Sequence, residues 1–301
     1  MASRHAREAV QRPSPPAPSP VDLHTHTRRS DGILEPEDLV TAVWAAGVRV
    51  LAITDHDTLA AYRDLDGRVS SVAPGLTLMP GIEINAVTTE AAGLWEGEVH
   101  ILGYGMDPDD DAFAALLVGQ RDARRHRFER AVERLRELDL GVDEELAVLD
   151  RGDDDALGRP TLARALIAAG HATSVEDAFA RILGHGKPGY VPRQGVGPGQ
   201  AIAAIRAAGG LAVLAHFREA PERRAIVAGL VELGLGGLEV HYRRFDPETT
   251  AAVGAVADEL GLLRTGGSDY HGDEETYAEA HAELWVPAEV GETLRATLAG
   301  R

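Results

Sequence analysis

Short apolar runs alternate with helical stretches from Val21 onward, and nearly every run begins or ends beside a histidine or an acid. Residues 21–26, 48–54, 76–84, 99–104, 211–216, 238–241 and 262–265 read as strands. Residues 35–46 read as a helix, with Pro36 in the first turn and Gly47 after the end. Buried apolar strands that alternate with helices imply parallel pairing and a layered or barrel α/β architecture. The middle differs. Residues 108–180 carry no convincing strand, while 113–138, 159–169 and 174–183 read as helices. An all-helical insertion over 108–183 is the simplest reading, either a lid on the site or a cover for a hydrophobic face, and the Gly- and Pro-rich stretch 184–199 leads back. The expected division is therefore a barrel over 21–107 and 184–301, interrupted once. Residues 1–20 end in a run of Pro and Ser and are expected to form a disordered arm. They lack the apolar centre of a secretory signal.

No apolar run approaches the ~18 residues that a membrane-spanning helix requires. The chain has no cysteine, which excludes a disulfide scaffold, a thiolate metal site and a cysteine nucleophile. A cytoplasmic location is expected. The net charge is −18, from 48 acidic and 30 basic residues. Binding to long duplex nucleic acid rests on neutralising phosphates, so this balance argues against it. It leaves room for a small anionic substrate held by a local metal cluster or a few arginines. Lys187 is the only lysine.

The histidines carry the chemistry through their positions. His24 and His26 lie two apart on a strand, so both imidazoles reach one face. Asp31 follows in a Ser-Asp-Gly turn, and Asp55, His56 and Asp57 sit directly after the second strand. Glu83, His100, His216, Asp269 and His271 fall at or just beyond the limits of later strands. In an α/β barrel the C-terminal strand ends converge on one mouth, so these residues are expected to meet there. Imidazole and carboxylate without thiolate suit Zn, Mn or Fe. Six histidines and three acids are too many for one ion, so two or three ions with a bridging carboxylate are expected.

The motifs DLHTHTRRSDG, AITDHDT, PGIEIN, EVHILGY, AVLAH and GSDYHG, in that order, resemble those of the polymerase and histidinol phosphatase (PHP) family. Within it, RPTLARAL and GKPGYVPR are similar to segments of bacterial nucleotide phosphoesterases, which act on nucleoside 3′,5′-bisphosphates or trim short RNA from the 5′ end. The resemblance implies a distorted (β/α)7 TIM-like barrel and a trinuclear Mn2+, Zn2+ or Fe2+ site. By position, His24, His26, Glu83 and Asp269 would hold the first ion. Glu83 would bridge to a second held by His100 and His216. Asp31, His56 and His271 would hold the third. It also implies hydrolysis of a phosphomonoester of a small nucleotide, or of the 5′ end of short RNA, by metal-bound hydroxide attacking phosphorus.

Further roles are expected around that set. Asp22 and Asp55, beside ligands, would orient imidazoles. Arg159, Lys187, Arg193 and Arg218 are the candidates for holding substrate phosphate, and Tyr190 for stacking on a base. His241 could contact phosphate or protonate the leaving oxygen. However, the subgroup usually reads Tyr-His where this chain has His241-Tyr242, a reversal that could turn the histidine to the other strand face. Histidinol-phosphate phosphatase and a non-enzymatic metal-binding accessory module are the alternatives. A metal-dependent amidohydrolase fits poorly, because its bridging lysine belongs on a strand and Lys187 lies in a loop. No sequence feature specifies the oligomeric state.

Overall fold

The computed structural model describes residues 19–89, 97–148, 157–272 and 275–301. Residues 1–18 of the expected arm lie outside these. Ser19, at the arm's end, is buried, and its hydroxyl donates to the carbonyls of Val21 and Val286.

In chain order the elements are β1 (Val21–Asp22), α1 (Pro36–Ala45), β2 (Val50–Ile53), α2 (Ala60–Leu65), α3 (Val69–Val72), β3 (Thr77–Thr88) and β4 (Gly97–Tyr104). Next come α4 (Asp111–Glu137), α5 (Asp143–Ala147), α6 (Arg159–Ala168), α7 (Val175–Ala178), which runs into a π-helical turn at Phe179–Leu183, and α8 (Pro198–Ala207). The chain ends with β5 (Leu211–Leu214), α9 (Arg224–Glu232), β6 (Gly237–Tyr242), α10 (Pro247–Glu259), β7 (Leu263–Gly267), α11 (Tyr277–Ala282) and α12 (Ala288–Ala299).

The strands form one seven-stranded sheet in sequence order. All neighbours pair in parallel except around β4, which is antiparallel to both β3 and β5. The parallel sheet expected from the sequence is corrected at this strand. A parallel return needs a crossover of roughly a dozen residues or more, and the segment between Thr88 and Gly97 is too short for one. The reversal explains a detail of the sequence. His100 lies in the first half of its strand while His24, His26, His56, His216, Asp269 and His271 follow the ends of theirs, because the first half of β4 lies at the mouth where the parallel strands end.

Beyond β1 the chain turns from β2 toward β7. Leu23 N–H donates to the Gly266 carbonyl at 3.1 Å, His26 N–H to Tyr270 at 3.0 Å and Asp269 N–H to His24 at 2.8 Å. These bonds close the sheet into a distorted barrel. The approach is so close that a Cβ on Gly267 would sit 2.4 Å from the His24 backbone nitrogen. Glycine at 267 is therefore a requirement of closure.

The helices cover the barrel with apolar stripes. Ala201, Ile202 and Ile205 of α8 pack with Ile82, Ile84 and Ile101, while Val290 and Leu294 of α12 pack with Val21 and Leu23. α4 starts at Asp110, whose carboxylate accepts from Phe113 N–H, and ends near Arg134 and Arg136, which suit the negative end of the helix dipole. Its buried positions include Phe113, Leu117, Gln120, Arg124, Ala131 and Leu135. The C-terminal part packs with Leu162, Leu166, Ile182 and Leu183 in a separate small core. The middle of the stripe, Gln120 and Arg124, is polar and turned toward the barrel mouth.

Candidate metal centre

The strand ends bring nine histidines and carboxylates together around one side chain, Glu83. Its Oε2 lies 3.3 Å from His24 Nε2, 3.2 Å from His26 Nε2 and 3.2 Å from His56 Nδ1. Its Oε1 lies 2.7 Å from His100 Nδ1 and 3.3 Å from His216 Nε2. Asp31 reaches His56 and His271, each at 3.3 Å, and Asp269 Oδ1 is 3.4 Å from His24 and 3.2 Å from His26. Three groups have ligand atoms close enough to share an ion: His24, His26 and Glu83; Glu83, His100 and His216; and His26, Asp31, His56 and His271. Glu83 belongs to two of them and His26 to two.

Several of these atoms lack any other partner. His24 Nε2, both ring nitrogens of His26 and His56 Nδ1 are buried with no hydrogen bond. Buried polar atoms are ordinarily paired, so lone pairs converging in this way fit a divalent cation with a nitrogen and oxygen donor set. The charges fit as well. Burial opposes ionisation of Glu83, yet His100, His56 and His24 hold its carboxyl well below the usual range. Burial likewise opposes ionisation of Asp31 and Asp269, but His56 and His271 keep Asp31, and His24 and His26 keep Asp269, well below theirs. Burial pulls His56 down, favouring the neutral ring that a metal needs. For His26 burial works in the same sense, but the carboxylates of Asp269 and Glu83 push it up to about 10. The imidazolium thus supplies to these carboxylates the positive charge that a metal cation would otherwise supply.

The backbone is bent at the same place. Asp57, His216 and Asp269 have φ of 55°, 31° and 52°. Non-glycine residues rarely adopt positive φ, and such strain gathers at functional sites.

The supporting carboxylates differ from expectation. Asp22 accepts from Ser268 N–H, His24 N–H and the Tyr277 hydroxyl, and Asp55 from Thr27 N–H, the Thr27 hydroxyl and the Ser30 hydroxyl. Neither touches an imidazole. Both lie at β-strand ends and tie down the backbone of ligand-bearing loops. The imidazole-orienting role falls to Glu239 on β6, which sequence reading missed. This fully buried carboxylate accepts from His24 Nδ1 at 2.9 Å and from His216 N–H at 2.7 Å. His241 is a second correction. A register shift between Glu239 and His241 re-aims the end of β6. His241 then packs 6.1 Å from the Trp285 ring, near Arg264 and Glu289, away from the cluster. Tyr242 takes the inward place, and its hydroxyl donates to Asp269 Oδ2 at 3.0 Å.

A cavity of ≈ 200 Å³ opens on the cluster. Its lining includes Asp31, His56, Glu83, His100, His216, Asp269 and His271 of the cluster together with Arg124, Arg127, Arg159 and Arg193, Glu98 and Asn85. Arg193 Nε is 2.8 Å from Glu98, and Arg159 is 2.5 Å from it. Burial opposes the charge on Glu98, but Arg193, His100 and Arg159 hold its pKa at about 2. Burial and neighbouring guanidiniums lower Arg127 to about 9 and Arg193 to about 10. Of the four cations proposed from sequence, Arg159 and Arg193 line the cavity. Lys187 is exposed in its turn, and Arg218 is spent on the Arg244 carbonyl and the Phe245 ring. Tyr190 backs the wall, its ring 5.9 Å from both Arg127 and Arg159. Arg124 and Arg127 were missed. Beyond Asp269 and His271 a wider groove of ≈ 690 Å³ continues past Tyr242 and Arg243.

Comparison with known proteins gives the same direction. A profile of the PHP domain matches residues 22–139. The 5′-3′ exoribonuclease Rnm of Escherichia coli is 36% identical over 275 residues, 89% of this chain and 90% of that protein. The 3′,5′-nucleoside bisphosphate phosphatase of Chromobacterium violaceum is 29% identical over 256 residues, 83% of this chain and 87% of that protein. A solved Bifidobacterium adolescentis protein, provisionally assigned as a metal-dependent phosphoesterase, is 32% identical with a TM-score of 0.81, over 96% of this chain and 100% of that one. Among the described residues no helix is long and apolar enough to cross a membrane.

Proposed function

This chain belongs to the PHP domain family and is a metal-dependent phosphoesterase, and on that premise we propose that it removes the 3′-phosphoryl group from nucleoside 3′,5′-bisphosphates and trims short RNA from the 5′ end. One observation carries the reading. The histidine–carboxylate cluster and four guanidiniums line a single cavity. The first suits the phosphorus under attack; the second suits another phosphate on the same small molecule.

In this reading Glu83 places one oxygen among His24, His26 and His56 and the other between His100 and His216, so it would bridge two ions. Asp31, His56 and His271 would hold a third. Two or three divalent ions, Mn2+, Zn2+ or Fe2+, would supply Lewis-acid activation of water and neutralise phosphate oxygens as charge builds. Glu239 fixes the His24 ring, and Tyr242 holds Asp269. The arginines bind the distal 5′-phosphate by charge-assisted hydrogen bonds. Four guanidiniums against the carboxylates of Glu98 and Asp57 leave two positive charges, which match a terminal phosphate dianion. The groove past Tyr242 and Arg243 receives the rest of an oligonucleotide, and α4 and α6 of the helical insertion form the anion-binding wall.

The test compares phosphate release from adenosine 3′,5′-bisphosphate, nucleoside 5′-monophosphate release from a 5′-phosphorylated dinucleotide, and phosphate release from histidinol phosphate. Turnover of the first two with little on the third is expected. Preferred turnover of histidinol phosphate would overturn the substrate assignment.

A further inference from the structure

The second aspartate of the Asp-His-Asp sequence takes no part in the metal cluster. Asp57 is fully buried, and its N–H donates to the Glu83 carbonyl at 3.0 Å, fixing it beside that residue. Its carboxylate turns the other way, toward α4. Arg124 Nε and Nη2 donate to Asp57 Oδ2 at 3.0 and 2.9 Å, and Arg193 Nη1 lies 3.6 Å from the same oxygen. Arg121 donates to the Asp57 carbonyl at 3.1 Å. One residue at a barrel strand end thus grips a turn of the inserted helix and one of the loop arginines. Arg124 also donates to Asn85 Oδ1, and the Asn85 amide in turn lies 2.6 Å from His100 Nε2.

The side chain is aimed there by an unusual backbone. With φ of 55°, Asp57 sits in the left-handed region, which disfavours most side chains but tolerates Asp and Asn. An ordinary φ would carry the carboxylate off Arg124. The position therefore combines a strained backbone, complete burial and two arginines on the cavity wall.

We propose that Asp57 is a positioning residue for phosphate recognition: it holds Arg124, and with it Arg193, in the cavity beside the metal cluster. This rests on the assignment of the arginine wall to a second phosphate. Without the carboxylate, two nearly buried guanidiniums lose their shared counter-charge and move apart. The cluster keeps its ligands, because Asp57 contributes none.

Asp57→Asn is the probe, since asparagine keeps the left-handed turn while it removes the charge and sets an NH2 against either Arg124 or Gln120 Nε2. The readout is the ratio of kcat/KM for adenosine 3′,5′-bisphosphate to that for p-nitrophenyl phosphate, which has no second phosphate. Bound metal and thermal unfolding are measured on the same samples. D57N is expected to lower the ratio by ~10-fold or more, mainly through KM for the bisphosphate, with metal content equal to the wild type's. Arg124→Gln should lower it comparably, and the D57N/R124Q double variant little further, because Asp57 acts through Arg124. The double variant also leaves less unpaired charge should D57N alone fold poorly. An unchanged ratio in D57N, or fully additive losses, would overturn the proposal. A wild-type ratio near that of a simple ester would instead remove the second-phosphate reading on which it stands. Loss of metal in D57N would assign the residue to support of the metal centre.

Discussion

Replacing Glu239 with glutamine is the perturbation whose size follows most directly from the geometry. The carboxylate is fully buried and accepts two hydrogen bonds, from His24 Nδ1 at 2.9 Å and from His216 N–H at 2.7 Å. Each carboxylate oxygen serves one donor. A glutamine has a single acceptor oxygen, and its NH2 group must face either the His24 or the His216 N–H. One donor then loses its partner against another donor. Losing a hydrogen bond to a charged acceptor costs ~1.5–3 kcal/mol. Because the His24 bond to Glu239 leaves Nε2 as the ring nitrogen whose lone pair would face an ion shared with Glu83, much of that cost falls on metal affinity. Partners of metal-binding histidines typically contribute ~10–100-fold to affinity. We expect E239Q to bind Mn2+ about 30-fold more weakly, equivalent to about 2 kcal/mol. Competition against a chromophoric chelator measures this without reference to turnover. Affinity within twofold of the wild type would refute the reasoning and leave Glu239 as a packing residue.

Three other outcomes follow. Arg159→Gln and Arg193→Gln should each raise KM for adenosine 3′,5′-bisphosphate by ~10-fold with a smaller change in kcat, measured by steady-state phosphate release. His241→Ala and Lys187→Ala should change kcat/KM less than twofold in the same assay, since neither lines the cavity. The third concerns pH. The folded pKa of Glu98 is depressed to about 2 from 4.5, so its ionised form stabilises the fold above the unfolded value, and that contribution fades as pH falls from about 4.5 toward 2. In the metal-free protein, urea unfolding should show E98Q less stable than the wild type at pH 6, by at most ~3 kcal/mol, with the gap narrowing below pH 4.5. A gap that stays constant over that range would show that the pairing with Arg193 and Arg159 contributes no linked stability.

Most of the clustered residues were legible because they lie within a few positions of a strand limit, and barrel topology brings those limits together; Asp31 is carried there by the turn after β1. What lay outside reach depended on direction rather than identity. The reversal of β4 was hidden by the strand limits: 76–84 and 99–104 leave room for a crossover, whereas β3 runs on to Thr88 and β4 starts at Gly97. Glu239 had a signal as well: an acid inside the apolar run Leu238–Val240 needs a buried partner. Arg124 had another, since Phe113, Leu117, Gln120 and Arg124 follow helical spacing and place a guanidinium on the buried face. The exchange of places between His241 and Tyr242 is different. The His-Tyr order signalled that the histidine could leave the cluster face, but the register shift against β7 that accompanies it is not encoded in alternation or composition. Asp22 and Asp55 were found but misassigned, because adjacency in sequence to a ligand does not decide whether a carboxylate meets a ring or a backbone N–H.

The central claim is that this cluster holds the metal ions that hydrolyse the phosphoester. Metal-depleted protein titrated with Mn2+, with bound metal and phosphate release from adenosine 3′,5′-bisphosphate followed together, tests it most directly beside a His26→Ala control. His26 belongs to two of the three candidate groups. The account predicts release that rises with bound metal in the wild type and falls by ~1000-fold or more in H26A, alongside weakened binding. Undiminished release from chelator-treated protein, or an H26A variant as active as the wild type, would contradict it.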